Sequence, residues 1–185
     1  MKIYTRKGDD GSTGLLFGGR VSKDDPRTQA CGAIDEAVAA LGLARSLSPV
    51  ADGLAELILV LQRSLFVVGA EVSTATENAS RLTDAVSRVT EQMVADIEAK
   101  IDEIEAVSPL PDRFIVPGET PVAAAIDLAR CVVRRAERFV VTLARNGQLE
   151  GDHSLQFLNR VSDLLFVLAR WEESSAGLQA PPSRE

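Results

Sequence analysis

The sequence predicts an all-α protein: a five-helix bundle with a non-helical N-terminal loop and a disordered C-terminal tail. Three observations carry the prediction. Hydrophobic residues make up 45% of the 185 positions but aromatics only 4%, so Ala, Leu and Val dominate, which suits helices packed on helices. Leu54, Leu57, Ile58, Leu61, Leu65 and Val68 recur at helical spacing. The connections between such stretches are mostly short. The length fits one domain, residues 1–175, followed by a flexible tail at 176–185.

Residues 1–25 form the loop, because Gly8, Gly11, Gly14, Gly18 and Gly19 break any period. Asp25-Pro26 reads as N-cap and first helical position. The first helix runs from there to about Ser48, with Ile34, Val38 and Leu41 on its apolar face, and Pro49 ends it. A second helix covers about 51–76, and Thr74 to Ser80 is a polar loop. Thr83-Asp84 opens a third, acidic helix with Val86, Val89, Met93, Ile97, Ile101 and Ile104 as its core stripe. Pro109, Pro111 and Pro117-Gly118 mark a longer connection that contains a short extended run, Arg113 to Val116. Thr120-Pro121 caps the fourth helix, which stops near Asn146-Gly147. The fifth runs from about Asp152 to Glu173, with Asn159 and Asp163 on one face. The tail from Ala176 is small, polar and proline-rich.

Composition excludes several classes. The net charge is −7 and no long basic tract exists, which argues against general nucleic-acid binding. No apolar run reaches the roughly 18 residues of a membrane span, and the N-terminus lacks a secretory stretch, so a cytoplasmic protein is expected. Cys31 and Cys131 read as reduced, buried thiols. With His153 the single histidine, no structural zinc site can form, and no protein-held metal is expected.

Two segments point to chemistry. Between Arg130 and Arg145, five arginines meet one acid, Glu137. Arg130, Arg134 and Glu137 share one helix face with Arg138 beside them. Such a face is either a solvated stripe of ion pairs or a rigid cradle for a polyphosphate. The second segment, Thr5-Arg6-Lys7-Gly8-Asp9-Asp10-Gly11-Ser12-Thr13-Gly14, is either a flexible arm or an anion loop built from backbone N–H groups. It is not a Walker A loop, because the spacing is absent. Asp35, on an otherwise apolar helix, is either a surface carboxylate or a partner for one of the arginines.

Three segments together resemble the PduO-type ATP:cob(I)alamin adenosyltransferases, the corrinoid adenosyltransferase family. The first is the arm, continuing through Gly19-Arg20-Val21-Ser22-Lys23-Asp24-Asp25-Pro26-Arg27 to Gly32-Ala33-Ile34-Asp35-Glu36. The second is Phe114-Ile115-Val116-Pro117-Gly118 with Ala129-Arg130 and Arg134-Arg135-Ala136-Glu137-Arg138. The third is Phe157-Leu158-Asn159-Arg160-Val161-Ser162-Asp163-Leu164-Leu165-Phe166. The resemblance implies a cobalamin adenosyltransferase-like bundle that assembles as a homotrimer with active sites between subunits. It implies transfer of the adenosyl group of ATP to cob(I)alamin, with Mg2+ on the phosphates. Nucleotide binding would fall to Thr5, Arg6, Gly8, Asp9, Gly11, Thr13, Lys23, Arg134, Arg135, Glu137, Arg138 and Asn159. Arg130 and Asp35 would form an interface salt bridge, and Phe114 would sit under the corrin and help drive off the lower axial ligand. Arg134, Asp35, Arg130 and Phe114 are thus the expected catalytic set.

Cob(I)alamin is itself the nucleophile in such a reaction, so a chain nearly free of histidine is consistent with it. The chain departs from the family pattern at Cys31, at Ala37-Val38, at Glu119 and at Phe139. The alternative is a carrier that delivers adenosylcobalamin to a B12-dependent mutase or dehydratase. A reductase would supply Co(I) in either case.

Overall fold

The computed structural model describes residues 3–4, 6–48 and 53–184. Five α-helices carry the architecture: α1 (Pro26–Leu47), α2 (Leu54–Val72), α3 (Glu91–Glu105), α4 (Pro121–Arg145) and α5 (His153–Ser175). A short 3-10 helix occupies Thr76–Arg81. The N-terminal arm closes into a small antiparallel hairpin, β1 (Ser12–Gly14) with β2 (Arg20–Ser22), in which Thr13 faces Val21.

The expected caps form. The Asp25 carboxylate accepts the Arg27 N–H at 2.8 Å, and Pro26 takes the first helical position of α1. The Thr120 hydroxyl accepts the Ala123 N–H at 3.0 Å ahead of Pro121. Pro49, expected to end α1, lies outside the described residues.

α1 packs on α4, α4 on α5, α1 on α2 and α3 on α5. Both helices of the α1–α4 pair bury alanines: Ala30, Ala33, Ala37 and Ala44 in α1, Ala125, Ala129 and Ala136 in α4. Small side chains let the two helices approach closely, while Ile58, Leu61, Leu65, Phe157, Leu158 and Leu165 fill the core on either side.

Three boundaries differ from the sequence expectation. α2 stops at Val72, because Arg27 Nη1 takes the carbonyls of Val72 (2.5 Å) and Thr74 (2.6 Å) out of the helical ladder. α3 starts at Glu91 rather than at Thr83-Asp84. Thr90 is the true cap, its hydroxyl accepting the Met93 N–H, while Ala85 sits at φ 56°, outside any helix. Val86 is therefore 70% exposed, whereas Val89 is buried. The third concerns the tail. Composition predicts disorder, yet the Val116 N–H donates to Pro181 C=O (2.9 Å) and the Ser183 N–H to Phe114 C=O (2.8 Å), which lays the tail antiparallel along the extended run.

Candidate active site

The arm is built around two glycines. Gly11 takes φ +82°, and its carbonyl accepts the Lys23 N–H at 2.9 Å, closing the hairpin. At Gly8, a Cβ would lie 3.3 Å from Lys23 Cε and Nζ, so glycine lets the lysine side chain lie across the loop. Arg20 staples the hairpin through Nη2 to Lys7 C=O (2.6 Å) and Nε to Ser12 Oγ (3.1 Å). The N–H and hydroxyl of Ser12 both donate to Asp10, which holds that carboxyl below its ordinary value. Arg6 stands at φ 59° with its guanidinium 5.7 Å from the Tyr4 ring centroid. Asp9 is exposed, Thr13 lies half-buried in β1, and Thr5 lies outside the described residues. The Leu16 N–H donates to Ser73 C=O at 3.0 Å and Arg81 Nη1 to Phe17 C=O at 2.7 Å, so the arm is anchored on the end of α2 and the 3-10 helix.

The arginines of α4 divide by environment. Arg135 pairs with Glu36 of α1, and Glu137 accepts from Asn159 at 3.3 Å. Arg160 donates to Asn159 Oδ1 at 2.8 Å, which orients that amide. The guanidinium groups of Arg134 and Arg138 are exposed and enter no hydrogen bond or ion pair among the described residues. Two unpaired cations one turn apart on a rigid helix form a receptive surface for an anion.

Arg130 is different. Its guanidinium lies 5.3 Å from the Phe166 ring centroid, and its Nε is buried without a partner among the described residues. It lines a cleft of about 460 Å³ with Phe114, Ile115, Asp127, Asp163 and Phe166. Phe114 is 88% exposed, a costly position for an aromatic ring unless something covers it. Within the single chain Asp35 is exposed on α1 and makes no ion pair with Arg130. The structure therefore gathers Arg130 and Phe114 at one cleft, Arg134 and Arg138 on the adjoining surface, and the arm residues in a separate hairpin.

The family model for cobalamin adenosyltransferase matches residues 3–172. The chain belongs to this family. A corrinoid adenosyltransferase of Citrobacter freundii is 36% identical over 174 residues, covering 94% of this chain and 96% of the relative. One from Mycobacterium tuberculosis is 39% identical over 172 residues, covering 91% and 87%. Among solved structures, a variant of the PduO-type ATP:corrinoid adenosyltransferase from Lactobacillus reuteri, complexed with cobalamin and ATP, superposes with a TM-score of 0.91 at 33% identity over all of both chains.

Three buried polar groups of this cobalamin adenosyltransferase lie outside the motifs of the sequence. Arg27, 4% exposed, ties the start of α1 to Val72, Thr74 and Gln148. Glu71 accepts the Val89 N–H (2.9 Å) and the Ser154 hydroxyl (2.8 Å). Arg170 joins Glu173 (2.8 Å) and Asp127 (2.6 Å) in a buried cluster against Phe166. Only the i,i+3 spacing of Arg170 and Glu173 was a sequence signal. Cys131 is exposed rather than buried, while Cys31 is half-buried and its thiol is pushed up to about 11, first by burial and then by Asp35. Among the described residues no helix is long and apolar enough to cross a membrane.

Proposed function

We propose that this cobalamin adenosyltransferase moves the 5′-deoxyadenosyl group of ATP onto the cobalt of cob(I)alamin, giving adenosylcobalamin and triphosphate. One observation carries the reading. α4 presents Arg130 to the cleft under Phe114 and, one and two turns on, Arg134 and Arg138, unpaired among the described residues, to an open surface. One turn is about 5.4 Å, so a corrinoid in the cleft and a nucleotide on the arginines would meet along a single helix. The Lactobacillus reuteri relative binds that same pair of ligands.

The cobalt lone pair attacks C5′, the C5′–O bond breaks, and its electron pair leaves with triphosphate. Arg134 and Arg138 stabilise the charge that develops on the leaving oxygens. Arg135, held by Glu36, and Asn159, held by Glu137 and Arg160, position the nucleotide. Mg2+ would ride on triphosphate oxygens and water, where it would offset phosphate charge. Phe114 shields the lower face of the corrin and disfavours the axial ligand.

The arm completes the site from a second copy of the chain. With the arm anchored on α2 and the 3-10 helix, Arg134 and Arg138 have no partner among the described residues. A homotrimer would bring the arm's Gly8, Gly11, Thr13 and Lys23 against a neighbour's α4, and would pair Arg130 with a neighbour's Asp35. We place the protein in the cytoplasm, supplied with Co(I) by a reductase and handing its product to a B12-dependent mutase or dehydratase.

The test is anaerobic. Protein, ATP, Mg2+ and chemically reduced cobalamin should yield the light-sensitive spectrum of an alkylcobalamin. Arg134→Ala should keep its circular dichroism and lose at least about 100-fold in kcat/KM, the scale of removing one oxyanion-stabilising donor. A folded parent protein that leaves the cobalamin spectrum unchanged would disprove the assignment.

A further inference from the structure

The ring at the cleft is carried by backbone that the bundle does not hold. Phe114 is 88% exposed, and its run, residues 113–116, lies in a connection broken by Pro109, Pro111 and Pro117. Among the described residues, the backbone of residues 109–118 makes only two hydrogen bonds, and both go to the C-terminal tail. The Val116 N–H donates to Pro181 C=O at 2.9 Å, and Phe114 C=O accepts the Ser183 N–H at 2.8 Å. The two bonds bracket the antiparallel bridge between Ile115 and Pro182.

The tail's sequence suits that pairing. Gly177 takes φ +73°, and the Leu178 N–H returns to Glu173 C=O at 2.9 Å, so α5 ends in a turn that fixes where the tail departs. Because the two hydrogen bonds flank the Ile115–Pro182 pair, Pro182 sits where the ladder asks for no N–H, and Pro181 supplies only its carbonyl. A fixed φ at two successive prolines stiffens the segment. Side chains alternate along the run: Ile115 is half-buried, whereas Phe114 and Val116 on either side of it are exposed. Backbone pairing on both sides of Ile115 therefore sets where the Phe114 ring stands.

We infer that residues 181–183 are a positioning strap for Phe114: they hold the ring at the cleft it shares with Arg130, so the tail serves the corrinoid site rather than the scaffold. The inference rests on the proposed corrinoid reading of that cleft. A ring on unheld backbone would have to be ordered as the corrin arrives, and that ordering would weaken binding. The strap orders it in advance. Residues 181–183 lie beyond the stretch 3–172 that the family shares.

The experiment changes one N–H in the full-length chain. Ser183→Pro removes the donor to Phe114 C=O, whereas Ser183→Ala keeps it and loses only the hydroxyl. Losing one backbone hydrogen bond shifts the held position by about threefold or more, so Ser183→Pro should lower kcat/KM for cobalamin by about that factor. ATP affinity by calorimetry and the urea unfolding curve should stay at the parent values, and Ser183→Ala should match the parent's kcat/KM within about twofold. In the ATP-loaded Co(II)alamin complex, electron paramagnetic resonance reads the share of cobalt that still carries a nitrogen as lower ligand, and this share should rise in Ser183→Pro. In a Phe114→Ala background Ser183→Pro should have no further effect, because the strap acts through the ring. The inference is overturned by unchanged turnover and ligand share in Ser183→Pro, by equal losses in Ser183→Ala or by losses that add to those of Phe114→Ala. A fall in ATP affinity or loss of the fold in Ser183→Pro also overturns it, since the tail would then serve the scaffold. In each of these cases, turnover of cobalamin by the parent leaves the corrinoid reading standing. A folded parent that turns over no cobalamin fails that reading and this inference with it.

Discussion

Replacing Arg27 by methionine tests how the arm is held to the bundle. The guanidinium donates to Val72 C=O at 2.5 Å, Thr74 C=O at 2.6 Å and Gln148 C=O at 2.6 Å, from a position 4% exposed. It thereby links the start of α1, the end of α2 and the turn after α4. Each charge-assisted bond contributes about 1.5–3 kcal/mol before desolvation is counted. Burial opposes this, pushing the Arg27 pKa down, though Asp25 and Glu77 favour the charged form. Removing the donor leaves up to three buried carbonyls short of a partner, at about 1–3 kcal/mol for each group left unsatisfied. Arg27→Met should therefore lower unfolding free energy by about 3 kcal/mol or more in urea titrations at fixed protein concentration. Arg27→Lys, which can reach only some of the three carbonyls, should fall between. The same change loosens the Ser73 and Thr74 segment against which Leu16 docks, so the KM for ATP should rise more than kcat falls. A methionine variant within about 1 kcal/mol of the parent would refute this account of the joint.

Three further outcomes are expected. Phe114→Ala should leave the unfolding curve unchanged, because the ring is 88% exposed, yet depress corrinoid turnover; equal turnover would remove Phe114 from the site. Thr90→Ala should cost about 1 kcal/mol as the loss of a helix cap, whereas Thr83→Ala should cost under about 0.5 kcal/mol, and the reverse order in urea titrations would contradict the start of α3 at Glu91. The Cys31 thiol, raised to about 11 from an ordinary 9.0, favours the folded state in its neutral form. That contribution is complete below pH 9 and is lost as pH rises through 11, so the stability gap between parent and Cys31→Ala should narrow by up to about 2 kcal/mol across that window, and a pH-independent gap would count against it.

Much of the bundle was legible because helical spacing and caps are local. Asp25-Pro26 and Thr120-Pro121 carry their own geometry, and the structure uses both. Thr83-Asp84 carried an equally good cap pattern and misled. Thr90 lies seven residues on, and the buried Glu71 carboxylate, from a different helix, holds Val89 N–H in the intervening loop. No property of residues 83–90 alone announces Glu71. The site shows the same division. Arg130, Arg134 and Arg138 follow from one helix period, whereas Asp127 meets Arg170 only because α4 packs on α5. The tail's pairing with Phe114–Val116 is likewise invisible in composition, since it depends on two edges meeting.

α4 also explains how a site without a protein nucleophile can control its reaction. Asp127, Arg130, Arg134 and Arg138 follow one another at steps of three or four, so they form a single stripe about 16 Å long. Along it, exposure rises in order: Asp127 is buried, Arg130 half-buried, Arg134 and Arg138 open. The opposite side is fixed by Ala129, Val133, Ala136 and Val140, all buried, so the stripe cannot rotate without emptying the core. One rigid element therefore reaches from Asp127, the partner of Arg170, past the cleft under Phe114 to the surface proposed for the nucleotide. In the proposed site the distance between cobalt and C5′ would be set by helical rise rather than by loop motion, and most of the catalytic benefit would come from holding two large reactants in register. A glycine pair placed at Cys131 and Val132 would relax the helix between Arg130 and Arg134 while leaving every charged group in place. Turnover should fall far more than affinity for either substrate alone. Equal losses in turnover and in affinity would mean that the arginines act as separate binding groups and not as one ruler.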